Sequence, residues 1–443
     1  MRKVIYITAI LTGMSSLSFA QDEFWTMEEC MKFAVENSPK VKTAQHEEDS
    51  YKAEQLYAFG SFLPSISGDV NTRWSFGRSI DPGTNTYDNT STFNNGYSLG
   101  ASVPLFRGGR LVNQWKLANV NRLLGRETTR QAEDELAINT MQAYIDVMFY
   151  QGTVKLAAEK QEESAKLLYM SQRQEELGLK GKADVAQIEA QAAADDYNLT
   201  HQQNLYAIAL LTLKEFMNYD SSLPFAVDTT MTNRENLTLE ESAEDIYNYA
   251  ADNHPMAVRA ELLLKNRELN HLMAKGSYFP SISFSAGVST NYFENLKAQT
   301  TPASFNSQFK NNRGEYMAVS VSIPIFDGFS RRTEVRRARN NVRIAQEQQT
   351  EALRQLQTTV EKAVADRDGY LKEIIQMEKQ VNANDLAYTL SRRKYEEGLL
   401  SPLDLQTSAN LLIESKVNLL QKRLLYVVKT KQVDYYKGEP LVL

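Results

Sequence analysis

The chain has 443 residues, with 49 Lys+Arg against 55 Asp+Glu, four His, one Cys and a net charge of −6. Its mean hydropathy of −0.45 coexists with 42% hydrophobic residues, enough for a large core. The acidic balance argues against nucleic-acid binding, the single cysteine excludes a disulfide framework or a thiolate metal site, and 20 Gly with 11 Pro exclude a collagen-like or disordered chain.

Residues 1–20 read as a secretory signal. Arg2 and Lys3 form a basic start, Val4 to Leu11 are apolar except for Thr8, and Ser18-Phe19-Ala20 supplies a small-residue cleavage site. The run falls far short of the roughly 20 apolar residues of a spanning helix. Cleavage after Ala20 removes two basic residues and no acid, leaving a mature charge of −8. Cys30 lies too far beyond the cut to be a lipoprotein cysteine and is expected to pack as a small apolar residue on the first helix. No later stretch approaches roughly 18 uninterrupted apolar residues. The chain is therefore expected to be exported without an inner-membrane span.

The remainder is a duplication. Asn37-Ser38-Pro39 recurs as Asn253-His254-Pro255, and Leu63-Pro64-Ser65-Ile66-Ser67 as Phe279-Pro280-Ser281-Ile282-Ser283, both 216 positions on. Val103-Pro104-Leu105-Phe106-Arg107-Gly108 matches Ile323-Pro324-Ile325-Phe326-Asp327-Gly328 at a shift of 220, as Gly178 and Asp184 match Gly398 and Asp404. The offset changes between the two Pro motifs, where a loop absorbs four residues. A first repeat at 21–220, a polar linker at 221–238 and a second repeat at 239–443 follow, each running helix, strand, loop, strand, long helix, turn, helix.

In chain order, helices are predicted over 26–60 and 239–276, each ahead of a strand pair. Over 65–76, Ile66, Val70, Trp74 and Phe76 alternate with Ser67, Asp69, Asn71 and Arg73. The next strand sets Phe93, Tyr97, Leu99, Ala101, Val103 and Leu105 against Asn94, Gly96, Ser98 and Gly100. Over 281–292, Ile282, Phe284, Ala286, Val288 and Tyr292 alternate with serines, and a fourth strand carries Met317, Val319, Val321, Ile323 and Ile325. An antiparallel sheet lying on a helical core satisfies this pattern, and so does a membrane barrel with lipid outside and water inside. The small polar residues and the aromatics near strand ends favour the barrel. Polar loops at 79–92 and 294–314, with Asp81-Pro82-Gly83 and Thr300-Thr301-Pro302, join the strands and need no core of their own.

Stretches 109–177 and 329–397 contain no proline and predict helices of about 69 residues, roughly 100 Å at 1.5 Å per residue. Breaks at Gly125 and Gly152 would give a bundle instead; equal lengths in both halves favour the rod. Return helices at 182–218 and 402–437 are half as long, so two short helices match one long one. At the turn, Ser401-Pro402-Leu403-Asp404 resembles a capping box behind Gly398 at C′, while Gly181 stands where Ser401 does ahead of Asp184. Capping alone accounts for both aspartates as well as any functional role.

These features together resemble the TolC family of outer-membrane efflux and secretion channels. The resemblance rests on the signal, the repeat, the Leu-Pro-Ser-Ile-Ser and Val-Pro-Leu-Phe-Arg-Gly-Gly strand borders and the turn from Tyr395 to Asp404. It implies a mainly α chain with an internal twofold repeat, whose long helical hairpins form a periplasmic tunnel. Four strands per protomer would enter one shared barrel of a homotrimer in outer-membrane lipid. Four strands cannot close alone, since the smallest barrels need about eight. The implied role is the exit duct of a tripartite efflux pump or a type I secretion system. Its partners would be a periplasmic adaptor and an inner-membrane transporter. Carried over by position, Asp184, Tyr395 and Asp404 would line or support the gate at the tip. Leu177, Gly178, Leu179, Glu397, Gly398 and Leu399 would form the adaptor-facing turns. Leu400 and Thr407 stand where the best-known member of the family has an arginine and a second aspartate.

The rival class is a periplasmic adaptor, which predicts one helical hairpin where this sequence has two, with two lipid-patterned strand pairs. A hydrolase is not expected. His46, His201, His254 and His271 have no metal-ligand spacing, and no nucleophile motif, phosphate loop or cofactor site stands out.

Overall fold

The computed structural model describes residues 24–80, 85–228, 242–297 and 302–442. The signal at 1–20, loop residues Asp81, Pro82, Gly83, Thr300 and Thr301, and linker residues 229–238 lie outside them. The first half runs β1 (Phe24–Trp25), α1 (Met27–Asn37), α2 (Pro39–Gly60), β2 (Ser65–Ile80), β3 (Tyr87–Arg107), α3 (Arg110–Glu176) and α4 (Lys182–Met217). A short β4 (Ala226–Val227) pairs in parallel with β1. The second half runs α5 (Ala243–Asn253), α6 (Pro255–Gly276), β5 (Ser281–Asn295), α7 (Phe305–Asn311), β6 (Gly314–Ser322), α8 (Ser330–Glu396) and α9 (Pro402–Tyr436). The repeat is near-exact in helix length: 11, 22 and 67 residues in both halves, then 36 against 35.

The single helices expected over 26–60 and 239–276 are each two. Pro39 and Pro255 have no N–H to give to the preceding turn, so the chain leaves the helix and restarts. Ser38 Oγ accepts from the Lys40 N–H at 3.2 Å, and His254 Nδ1 from the Met256 N–H at 3.2 Å. Burial, with the nearby Arg130 charge, lowers the His254 pKa to about 4, so the ring stays neutral and Nδ1 stays free to accept. Helix α3 runs unbroken through Gly125 and Gly152. Both glycines mark close approaches: a Cβ would stand 2.5 Å from Tyr51 Cδ2 and 2.4 Å from Leu420 Cδ2. At 1.5 Å per residue each 67-residue helix spans about 100 Å.

The strands form one antiparallel sheet in the order β2-β3-β5-β6. Its register puts Ile66 opposite Ala101, Val70 opposite Tyr97, and Trp74 opposite Phe93, with their ring centroids 5.1 Å apart. The row continues through Val103–Phe284, Phe284–Val319 and Ala286–Met317, so one face is apolar across all four strands. Val70, Met317, Val319 and Val321 on that face are exposed in the single chain. Pro104 sits at a register shift, where a missing N–H is tolerated; Leu105 is bulged out and Phe106 takes its place opposite Ile282. The fourth strand ends earlier than expected. Ser322 already pairs with Ser281, the first residue of β5, so Ile323 and Ile325 run past the end of their only neighbour and lie outside the ladder.

The 294–314 connection is more than a solvated loop. Helix α7 covers the stretch of β5 that β6 is too short to reach. The Gln308 amide donates to the Phe293 carbonyl at 2.9 Å and accepts from the Phe293 N–H at 2.9 Å, as a neighbouring strand would. Phe305 and Phe309 pack edge-on against Tyr97, at 6.1 and 5.5 Å between ring centroids.

Helices α2, α3, α6 and α8 lie side by side in that order, repeating the order of the strands they adjoin. Lower down, α1 and α5 pack against the long helices. Fully buried Cys30 joins Ala34, Tyr144, Val147 and Leu213 in one core, and burial, with the charges of Glu29 and Glu28, pushes its thiol pKa up to about 12.

The register gives a direct test of facing. With hydrocarbon on the apolar side, Val70→Arg and Val321→Arg should each cost roughly 2–4 kcal/mol near the midplane, seen as lost assembly in membranes. Ser67→Arg and Ser322→Arg, on the other face, should assemble nearly normally. Equal assembly of all four would show the faces to be misassigned.

Candidate functional site

The two hairpin tips, α3–α4 and α8–α9, gather all the candidate gate and adaptor-facing residues. Both long helices end in the same motif. Gly178 N–H donates to the Glu175 carbonyl at 2.8 Å and Leu179 N–H to the Gln174 carbonyl at 2.8 Å. Gly398 and Leu399 repeat this on Tyr395 and Lys394, at 2.9 and 2.8 Å. The turn requires a left-handed residue at C′, and the two glycines have φ of 73° and 74°. The motif then throws Leu177, Leu179 and Leu399, with Leu403 beside them, outward into solvent. Glu397 is exposed with them.

The aspartates differ. Asp404 N–H donates to Ser401 Oγ at 3.2 Å, and the Ser401 hydroxyl donates to Asp404 Oδ2 at 2.7 Å, so Asp404 is part of a cap. Asp184 follows Gly181, which has no side chain to offer, and among the described residues its carboxylate has no side-chain partner. No hydrogen bond links Asp184, Tyr395 and Asp404 to one another within the chain. Tyr395 instead holds Lys180, whose ammonium lies 4.7 Å from the ring centroid, bonds the Tyr395 hydroxyl and donates to Ser171 Oγ at 3.0 Å.

Among the described residues, Lys180 is the lowest of three polar links that join the hairpins near the tip. Above it Glu163 accepts from Tyr388 and pairs with Arg392 at 3.3 Å; Arg392 also reaches Glu396 at 3.1 Å. Higher still, Lys160 on α3 pairs with Asp195 on α4 at 3.5 Å and bonds Asn410 on α9. Gln191 donates to Asp195 Oδ1 at 2.7 Å and accepts from Gln406 of α9. These groups border a cavity of about 60 Å³ walled by Leu167, Ile188 and Leu405. Lys160 and Asp195 side chains are only 14% and 6% exposed. At the two departures from the expected pattern, Leu400 is half-buried and Thr407 donates back to the Leu403 carbonyl at 2.8 Å, so neither bridges the hairpins. Arg392 and Glu163 make the charged link instead. Sequence reasoning missed them because the partners stand more than 200 positions apart and none belongs to a repeated motif.

The family model for outer membrane efflux proteins matches residues 31–218 and 246–434, one segment in each half. The chain belongs to the outer membrane efflux protein family. It is 21% identical over 427 residues to the probable efflux pump outer membrane protein TtgC of Pseudomonas putida, covering 93% of this chain and 82% of that protein. Its fold matches VceC of Vibrio cholerae with a TM-score of 0.79 at 14% identity, over 93% of this chain and 96% of that one. It likewise matches the open state of MtrE of Neisseria gonorrhoeae, with a TM-score of 0.73 at 19% identity, over 93% and 88%. The protein is thus an outer-membrane efflux channel whose helices extend into the periplasm. The work of the family is transport.

The buried pair yields a stability test. Asp195→Ala leaves the Lys160 ammonium buried without its counter-ion and should cost about 3 kcal/mol. Lys160→Met with Asp195→Leu should recover most of that loss in thermal unfolding followed by circular dichroism. A single variant as stable as the parent would show that solvent already screens the pair.

Proposed function

We propose that three copies of this chain close one barrel and one tunnel, forming the exit duct of a pump that takes cargo from the periplasmic side. One observation carries this reading: a four-stranded sheet with two unpaired edges, β2 and β6, and an apolar face uncovered except where α7 meets Tyr97. Twelve strands from three chains exceed the roughly eight a barrel needs, and four do not. The helix layer supports the same closure, since α2 and α8 are its edges just as β2 and β6 are those of the sheet.

At the tip, the exposed leucines of both turns are the surface offered to a periplasmic adaptor, with an inner-membrane transporter beyond it. Apolar side chains rimmed by Glu397 and Lys180 suit a partner that docks and releases. The aspartates Asp184 and Asp404, repeated around a threefold axis, form a ring of negative potential at the tunnel mouth, with Tyr395 supporting it through Lys180. The links at Glu163, Arg392 and Lys160 hold the hairpins in the closed arrangement. That a protein of this fold is described in an open state supports a tip with two arrangements.

The test is ion preference in planar bilayers. Asn keeps an oxygen for the Ser401 hydroxyl while removing the charge, so Asp184→Asn with Asp404→Asn should leave assembly intact and lower the cation-to-anion permeability ratio. Unchanged ion preference would reduce both aspartates to local structural roles.

A further inference from the structure

The junction between β6 and α8 has features that the channel wall alone does not require. Ile323, Ile325, Phe326 and Phe329 leave the sheet side by side in sequence and are all exposed, Ile325 at 94%. Phe329 has a φ of 67°, left-handed backbone that a bulky residue rarely adopts. Its counterpart in the first repeat is Gly109, with φ 76°, where no such strain arises. The Phe329 ring stands edge-on to Phe326 at 5.6 Å and 86°, yet it is 60% exposed. A strained, solvent-facing aromatic is retained where something outside the chain rewards it.

Directly after it comes charge. Arg332, Arg336, Arg339 and Arg343 follow one another at intervals of four, three and four, which places them on one face of α8 over about 16 Å. All four are exposed in the single chain, and among the described residues none has an ion-pair partner; Arg331, by contrast, is tied to Asp327 at 3.5 Å. Glu334 lies on the opposite side of the helix at this spacing. The duplicated positions on α3 are Val112, Lys116, Asn119 and Leu123, so the stripe is peculiar to the second half and is not a demand of the fold.

We infer that the Phe326–Phe329 edge and this arginine stripe seat the phosphate headgroups of anionic phospholipids in the periplasmic leaflet of the outer membrane. The apolar face of β6 leads straight into the exposed Phe pair, and the Phe pair leads straight into the stripe. That order matches hydrocarbon, interface and headgroup. Guanidinium forks fit phosphate oxygens two at a time, and a juxtamembrane row of cations is drawn to an anionic leaflet. The inference rests on the outer-membrane location given above. A channel that conducts normally but retains no anionic lipid would sink it and leave the exit-duct reading standing.

The full-length protein, extracted in detergent, is titrated in native mass spectrometry with phosphatidylglycerol and with phosphatidylcholine of the same acyl chains. The parent should bind phosphatidylglycerol at least about tenfold more tightly. Joint replacement of Arg332, Arg336, Arg339 and Arg343 by Gln should bring it to the phosphatidylcholine level, and replacement by Lys should keep part of the preference. Phe329→Gly, which relieves the backbone, should weaken retention of both lipids without changing their ratio. Equal retention of the two lipids by the parent would overturn the proposal, as would an unchanged preference in the Gln variant. If the Gln variant fails to assemble, Arg336→Gln with Arg343→Gln carries the test, and full lipid preference there contradicts it. A shifted anion permeability with lipid retention unchanged would place the stripe in the tunnel and overturn it too.

Discussion

An apolar sheet face with two open edges cannot be a finished structure in any solvent. In water the face gives up roughly 25 cal/mol for each Å² left exposed. In lipid the unpaired N–H and C=O groups of the edges cost several kcal/mol each. Only closure with further strands satisfies both constraints at once. This demand organises the rest of the chain. The repeat supplies two strand pairs, and the helices that follow inherit the order of the strands, so the layer α2-α3-α6-α8 closes wherever the sheet closes.

The hairpins meet a weaker constraint. Near the tip the hairpins meet through a few apolar side chains around the small cavity, Ile188 and Leu405 among them, and through polar links that are partly wet. Arg392 and Glu163 are 57% and 39% exposed, and pairs in such settings are worth about 0–1 kcal/mol. A joint made of several weak links holds one arrangement and yields to a modest competing interaction. That is the energetic profile the proposed gate requires. The buried Lys160–Asp195 pair ties α3 to α4 within the first hairpin, apart from these weaker links between hairpins.

Much of this was legible in the sequence, for identifiable reasons. Ile66, Val70, Trp74 and Phe76 fall only on even positions, with Ser67, Asp69, Asn71 and Arg73 between them, and the equal lengths of the two proline-free stretches favoured unbroken helices. Gly178, Gly398 and Ser401 carry their geometry in their residue type. What escaped depends on partners. Ile323 reads as strand until Ser322 is seen to meet the first residue of β5. Gln308 looks like a loop residue until its amide pairs with Phe293. Ser38-Pro39 was visible as a repeated motif, but its meaning as a helix restart lay in a side-chain cap. Lys180 and Tyr395 are 215 positions apart, beyond any local pattern.

Closure of the sheet depends on how many chains complete the barrel. The direct measurement is light scattering of the detergent-extracted protein with the detergent mass subtracted. Three chains per particle, obtainable only after membrane extraction, is the predicted result. A monomer released from the periplasm in water, with its apolar sheet face covered by its own chain, would contradict it.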